Sequence, residues 1–385
     1  MAAAAMLTGG AFGQTIKIGV SGPFTGPSAP FGIAMRGGAE VAATEINQAG
    51  GIMGRQVTLV ERDDQADAEL GAQIAQELIG TEHVVATVGF ANNDVALATQ
   101  RFYQTAEIPV LNAVASGARI TQQFPPPNYI FRNSASDAIQ FPAIVQEAIA
   151  RRKLHAPAIL ADNTSDGLAG RKYYLAALEA AGVKPVADET FAPGDTNVGQ
   201  RLGLIKLANP DVILTAAKGA DLARIANAMG RQGWKLPIMG TEGLATGAFI
   251  DDALVNSDGA LMPQTFIQVG NSPKRAAFIA VYRRTFRMIR MPSPDAAAQA
   301  YDSLYLLKAA IEQAGTTDGR DIRKALENLK TKVEGVVTTY DRPFSATDHE
   351  AISANMLVFG IVRNRHVVAA YEEDLAGDRA VRVKQ

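Results

Sequence analysis

IKIGVSGPFTGPSAPFGIAMRGGAEVAATEINQAGGIMG, residues 16–54, has three parts whose order decides the fold. Residues 16–20 form a short, mostly apolar run that reads as a buried strand. Residues 21–30 hold two glycines and three prolines, so neither helix nor sheet runs through them. A long helix is predicted from Phe31, with Ile33, Gly37, Val41, Ala42, Glu45 and Ile46 at helical spacing. It stops at Gly50-Gly51, where a left-handed residue is needed after the last turn. A strand that passes to a helix through small and stiff residues is where open α/β sheets bind ligands, beyond the carboxyl ends of the strands.

The same rhythm continues outward. Strands are predicted at residues 56–61, 84–88 and 108–111, and helices at 68–79 and 95–105, with Asp67 as a cap. This alternation means a parallel sheet covered by helices. A proline-rich break at residues 124–133 precedes a second α/β block of similar rhythm, running to the turn Gly240-Thr241-Glu242-Gly243. The end of the chain differs: helices are expected at residues 273–290, 295–314 and 321–329, then strands at 335–340 and 357–362, the latter turning back through Arg363-Asn364-Arg365.

The 385 residues are too many for one ordinary domain and comfortable for two. Apolar residues make up 47% and charged residues 20%, with a net charge of −2, so neither nucleic acid nor an anionic membrane is an expected partner. With no cysteine, a disulfide, a thiolate metal site and a cysteine nucleophile are excluded. His83, His155, His349 and His366 are scattered and do not share a metal spacing. Residues 1–14 begin small and apolar and carry Ala11-Phe12-Gly13, a small-x-small cleavage pattern; they read as a signal-peptide remnant or a disordered tail.

Turns near Ser28, Asn93 and Ser116 place backbone N–H groups at predicted helix starts, which favour an anion such as a small carboxylate. Asn and Ser in these positions also serve simply as helix caps. Glu242 lies just past a buried strand, where a carboxylate accepts from a ligand ammonium or faces solvent. Asp166 and Lys218 likewise follow strands of the second block. Gly19 and Gly22 lack nucleotide-fingerprint spacing, and neither a G-x-S-x-G elbow nor an H-E-x-x-H helix occurs. No cofactor and no enzymatic activity are therefore expected.

GPFTGPSAPFG at residues 22–32 and EINQAGGIMGRQVTLVERDD at residues 45–64 resemble the opening of the periplasmic leucine/isoleucine/valine-binding proteins, the type I solute-binding components of ABC uptake systems. The resemblance extends to about Tyr371. It implies an α/β fold of two Rossmann-like lobes joined by three hinge crossovers, with lobe 1 formed by residues 15–132 and 263–339 and lobe 2 by residues 133–262 and 340–385. It also implies a periplasmic protein that binds a small amino acid or small carboxylate and delivers it to an ABC permease. By position, Asn93, Val114, Ala115 and Ser116 match residues around the ligand carboxylate, Glu242 matches the acid that holds the ammonium, and Phe31 matches an aromatic of the first helix region. Two tyrosines usual in the second lobe are replaced here by Asp166 and Lys218. A charged pair there either binds itself or meets a polar ligand group, because unpaired buried charge is costly. The alternatives are the same fold used as a sensor or receptor ligand-binding protein, or a transport binding protein for an aromatic acid or amide.

Overall fold

Strand and helix alternate from the first described residues onward. The computed structural model describes residues 15–375 and 382–385, so the segment read as a leader or tail lies outside them. The first block is β1 (Ile16–Gly22), α1 (Ala29–Gln48), β2 (Val57–Asp63), α2 (Ala68–Gly80), β3 (Ala86–Gly89), α3 (Asn93–Ala106), β4 (Val110–Asn112) and β5 (Ile130–Arg132). The second is α4 (Asp137–Gln146), β6 (Pro157–Asp162), α5 (Ser165–Ala180), β7 (Ala187–Phe191), α6 (Val198–Leu207), β8 (Val212–Ala216), α7 (Gly219–Arg231), β9 (Ile238–Met239), α8 (Gly247–Ala253) and β10 (Leu261–Gln264). Then come α9 (Pro273–Phe286), α10 (Pro294–Ala314), α11 (Gly319–Leu326), β11 (Val333–Glu334), β12 (Thr339–Tyr340), β13 (Val358–Arg363) and β14 (His366–Ala369).

The blocks form separate sheets. The first has order β2-β1-β3-β4-β5, all parallel. The second has order β14-β13-β10-β9-β8-β6-β7, parallel except for the β13–β14 hairpin that closes one edge. In each, the second strand in sequence pairs on one side of the first and the third on the other. The crevices between β1 and β3 and between β6 and β8 are thus the topological switch points, where loops diverge and leave room for a ligand.

The chain passes between the units three times. The first passage follows β5, and the second follows Gln264, the end of β10. The third falls at Leu357–Val358, later than the Thr339–Tyr340 position the resemblance implied. Phe344, Ala351, Ile352, Met356 and Leu357 pack into the first unit's core with α1 and α10, so the chain stays there until β13 begins. The last residues also return to that unit: Lys384 Nζ donates to Pro343 O at 2.8 Å and pairs with Asp348 at 2.7 Å. Residues 341–357 and 382–385 therefore belong with the first sheet rather than with the second.

Local differences have local causes. The expected strand over residues 335–340 is a small β11–β12 hairpin, because the buried Asp302 carboxylate captures the N–H groups of Val336 and Val337 and the Tyr340 hydroxyl. The helix expected to reach residue 290 ends at Phe286, where Arg287 turns left-handed at φ 53°. Helix α1 ends as its glycines require: Gly51, at φ 79°, donates to Ile46 O at 2.8 Å.

Helix α1 lies between the first sheet and α10, with Gly38 at the closest approach. A Cβ at Gly38 would sit 1.9 Å from the Ala297 carbonyl oxygen. Gly38→Val is expected to lower stability by roughly 1–3 kcal/mol through overpacking, read as a lower urea midpoint. An unchanged midpoint would refute the close approach.

Candidate functional site

The carboxyl ends of both sheets face one cavity of about 90 Å³. The first unit supplies the loop after β1, with Ser28 and Phe31, the loop after β3, with Ala91, Asn92 and Asn93, and Val114 and Ser116 beyond β4. The second supplies Asp162 and Asp166 after β6, Ala216 to Lys218 after β8 and Thr241 to Gly243 after β9.

Direct bonds cross from one unit to the other. Asn93 Nδ2 donates to Asp166 Oδ1 at 2.9 Å, and Ser165 Oγ donates to Asp94 Oδ2 at 3.0 Å. The second Asp166 oxygen pairs with Lys218 Nζ at 2.8 Å. Asn93 Oδ1 accepts from Gly117 N at 2.9 Å. The Asn93 side chain therefore does not cap α3; it ties the neighbouring loop and reaches across the cleft. The structure is a closed form in this sense.

Glu242 opens a one-turn 3-10 helix at the end of the loop after β9. Its Oε2 is enclosed and has no hydrogen-bond partner among the described residues. Burial pushes the carboxyl up to about 8, aided by the negative charges of Asp137 and Asp295, while hydrogen bonds from its own backbone and Gln140 oppose the rise. Asp295, behind Glu242 at the start of α10, is tied down by Phe266 N at 2.6 Å and Thr265 Oγ1 at 3.1 Å. Burial raises it to about 7. Asp137, the first residue of α4, also lines the cavity, and burial raises it to about 6 against the pull of Ser116 and Arg132. Asp162 has less to offer a ligand, since one of its oxygens already accepts from Thr164 N at 3.0 Å and from the Thr164 hydroxyl. The cavity thus sets three carboxylates, those of Asp137, Asp162 and Glu242, beside an Asp166–Lys218 pair that cancels itself.

These features sit in a chain whose residues 15–365 match the family model described as periplasmic binding protein. The chain belongs to the periplasmic binding protein family. It is 26% identical over 316 residues to a Leu/Ile/Val-binding protein homolog 3 of Brucella melitensis, covering 82% of this chain and 84% of that one. It is equally 26% identical to a leucine-, isoleucine-, valine-, threonine- and alanine-binding protein of Pseudomonas aeruginosa, over 81% and 82% of the two chains. Among solved structures, the branched-chain amino acid transporter substrate binding protein LivJ from Streptococcus pneumoniae, in complex with isoleucine, superposes with a TM-score of 0.82 at 26% identity, over 92% of this chain and 98% of that one. An ABC-transporter solute binding protein of R. palustris in complex with 4-hydroxybenzoate shares the fold, with a TM-score of 0.78 at 21% identity over 92% and 95% of the chains. The fold is that of a type I periplasmic binding protein, two α/β units with parallel sheets.

Within that fold, Phe31, Asn93, Val114, Ser116, Asp166, Lys218 and Glu242 all line the cavity. Ala115 does not. It is buried in the core beneath Phe90 and Ile120, its N–H donating to Phe90 O at 2.7 Å and its carbonyl accepting from Ser134 Oγ at 3.0 Å. Alternation along the extended segment 114–116 turns Val114 and Ser116 toward the cavity and Ala115 away. Ser116 heads no helix either, since only the short turn Ile120–Gln122 follows, and its carbonyl accepts from Asp137 N at 2.8 Å. Residue-by-residue reading missed Asn92, Asp137 and Phe141, all on the cavity wall. Asp137 was open to the rule used for Asn93, a polar residue at a helix start just after a strand, had it been applied to the passage after β5.

A carboxyl with a raised folded pKa binds a proton that the unfolded chain has already lost. Its contribution to stability is complete below the ordinary value of 4.5 and is lost as pH rises through about 8. Ligand-free stability is expected to fall over that interval, and Glu242→Gln to remove part of the fall. Thermal melts across the range check this, and identical slopes in both proteins would contradict the enclosed carboxyl.

Proposed function

We propose that this chain is an extracytoplasmic, non-enzymatic solute-binding protein of an ABC uptake system that holds a small amino acid, of the branched-chain type or related, between two closing lobes. The observation that carries the reading is the enclosed Oε2 of Glu242, a buried acceptor that a ligand ammonium satisfies. Ser116 and the loop at the start of α3 stand where the ligand carboxylate is received. The names of the amino-acid-binding relatives support the same reading. In this account the first lobe is the unit built on β1 to β5 and the second the unit built on β6 to β10. The Asn93–Asp166 and Asp94–Ser165 bonds belong to the shut state. A ligand drives closure only as far as it binds that state better than the open one. The shut pair of lobes is the shape offered to a membrane permease.

An aromatic acid such as benzoate suits this cavity poorly. It brings no cation to Glu242, and its charge adds to those of Asp137 and Asp162. Calorimetry against a panel of amino acids and simple carboxylates tests the reading: amino acids are expected to bind, and silence across the panel sinks it. Glu242→Ala is expected to cost amino acids roughly 3 kcal/mol, more than a hundredfold in affinity, and to spare simple carboxylates. Equal loss of both removes the ammonium role. Because the free carboxyl sits near 8 and an ammonium favours its charged form, binding near neutral pH is expected to release a proton. Titrations in buffers of different ionisation heat measure that release.

A further inference from the structure

Two residues at the first switch point forgo their ordinary role. Ser28 stands at the N-cap of α1 and Asn92 at the N-cap of α3, and neither side chain caps its helix, although Ser and Asn are favoured caps. Instead Asn92 Nδ2 donates to Ser28 Oγ at 3.2 Å, bridging the loops that diverge from β1 and β3. The other end of the Asn92 amide, Oδ1, is enclosed and has no partner among the described residues, and Asn92 lines the cavity. At the second switch point, Asp166 is fully engaged by Asn93 and Lys218. Lys218 spends one of its three N–H donors on that bond, so the pair offers the cavity donors without net charge.

We propose that the ligand is an amino acid whose side chain ends in a neutral carboxamide, read by Asn92 on one side and by Lys218 on the other. The inference rests on the amino-acid reading above and narrows it. Glu242 accounts for the ligand ammonium, and Ser116 with the α3 loop for its carboxylate. What remains is an acceptor on one wall and a donor on the opposite one. A carboxamide carries both a donor and an acceptor, and whichever way the Asn92 amide faces, it presents the matching atom. An aliphatic side chain leaves the Asn92 amide unpaired, which a buried polar atom tolerates poorly. An anionic side chain faces Asp137 and Asp162.

Asparagine and leucine have nearly the same shape and differ in the groups that matter, so the unaltered protein decides the question. In calorimetric titrations with asparagine, glutamine, leucine and threonine, asparagine or glutamine is expected to bind at least tenfold tighter than leucine. Leucine or threonine as the tightest ligand overturns the carboxamide and leaves the amino-acid reading standing, whereas failure of every amino acid brings down that reading itself. Asn92→Leu is expected to reverse the asparagine-to-leucine preference. Ser28→Ala, which unties the Asn92 amide without touching its polar atoms, is expected to narrow it. A ratio unchanged in both variants overturns the proposal.

Discussion

A carboxyl oxygen shut away from water without a partner is held there by the rest of the fold. Glu242 is in that position, and the elements around it make it so. The loop after β9 carries it to the mouth of the second sheet, α10 brings Asp295 up behind it, and the passage after β5 brings Asp137 beside it. Burial raises the pKa of all three, and the negative charges of Asp137 and Asp295 raise that of Glu242 further, which keeps a proton nearby. A cation entering the cavity relieves this arrangement in a way that no described residue does. The unfavourable electrostatics of the site are thus the counterpart of its binding chemistry.

Two doubly wound sheets supply the geometry. Each has a switch point between the first strand of its block and the third, and each switch point holds one hydrogen-bonded pair, Ser28 with Asn92 and Asp166 with Lys218. Asn93 joins the two sides by reaching Asp166. The bonds that cross the cleft, Asn93 with Asp166 and Ser165 with Asp94, run between residues at loop ends and helix starts rather than between strands. The cost of opening falls on a few polar bonds that water can replace, which suits a protein that must let go of what it holds.

The late part of the chain shows how tertiary partners override local pattern. Residues 335–340 have the β-branched run of a strand, yet Asp302 draws the N–H groups of Val336 and Val337 inward, so residues 335–338 turn between the two-residue strands β11 and β12. Residues 341–357 read as the opening of the second unit, but Phe344, Ile352 and Met356 join the first unit's core, Phe344 with its ring against Phe131 of β5. In both places the deciding group lies far away in sequence, so no window of neighbouring residues contains it.

The strand-to-helix alternation, the glycine stop of α1, the lack of any thiol and the family likeness were all legible in the sequence, because periodicity, backbone restriction and residue type are local properties. Five cavity residues, Asn93, Ser116, Asp166, Lys218 and Glu242, were legible from their turns after predicted strands, and Phe31 and Val114 from the family resemblance. Only the folded chain decided that Ala115 turns inward, that Asn92 and Ser28 bond each other rather than their helices, that Asp166 pairs with both Asn93 and Lys218, and that Asp137 joins the wall. Those outcomes depend on where one loop stands relative to another across a cleft. That distance is fixed by the packing of two sheets, not by any spacing along the chain.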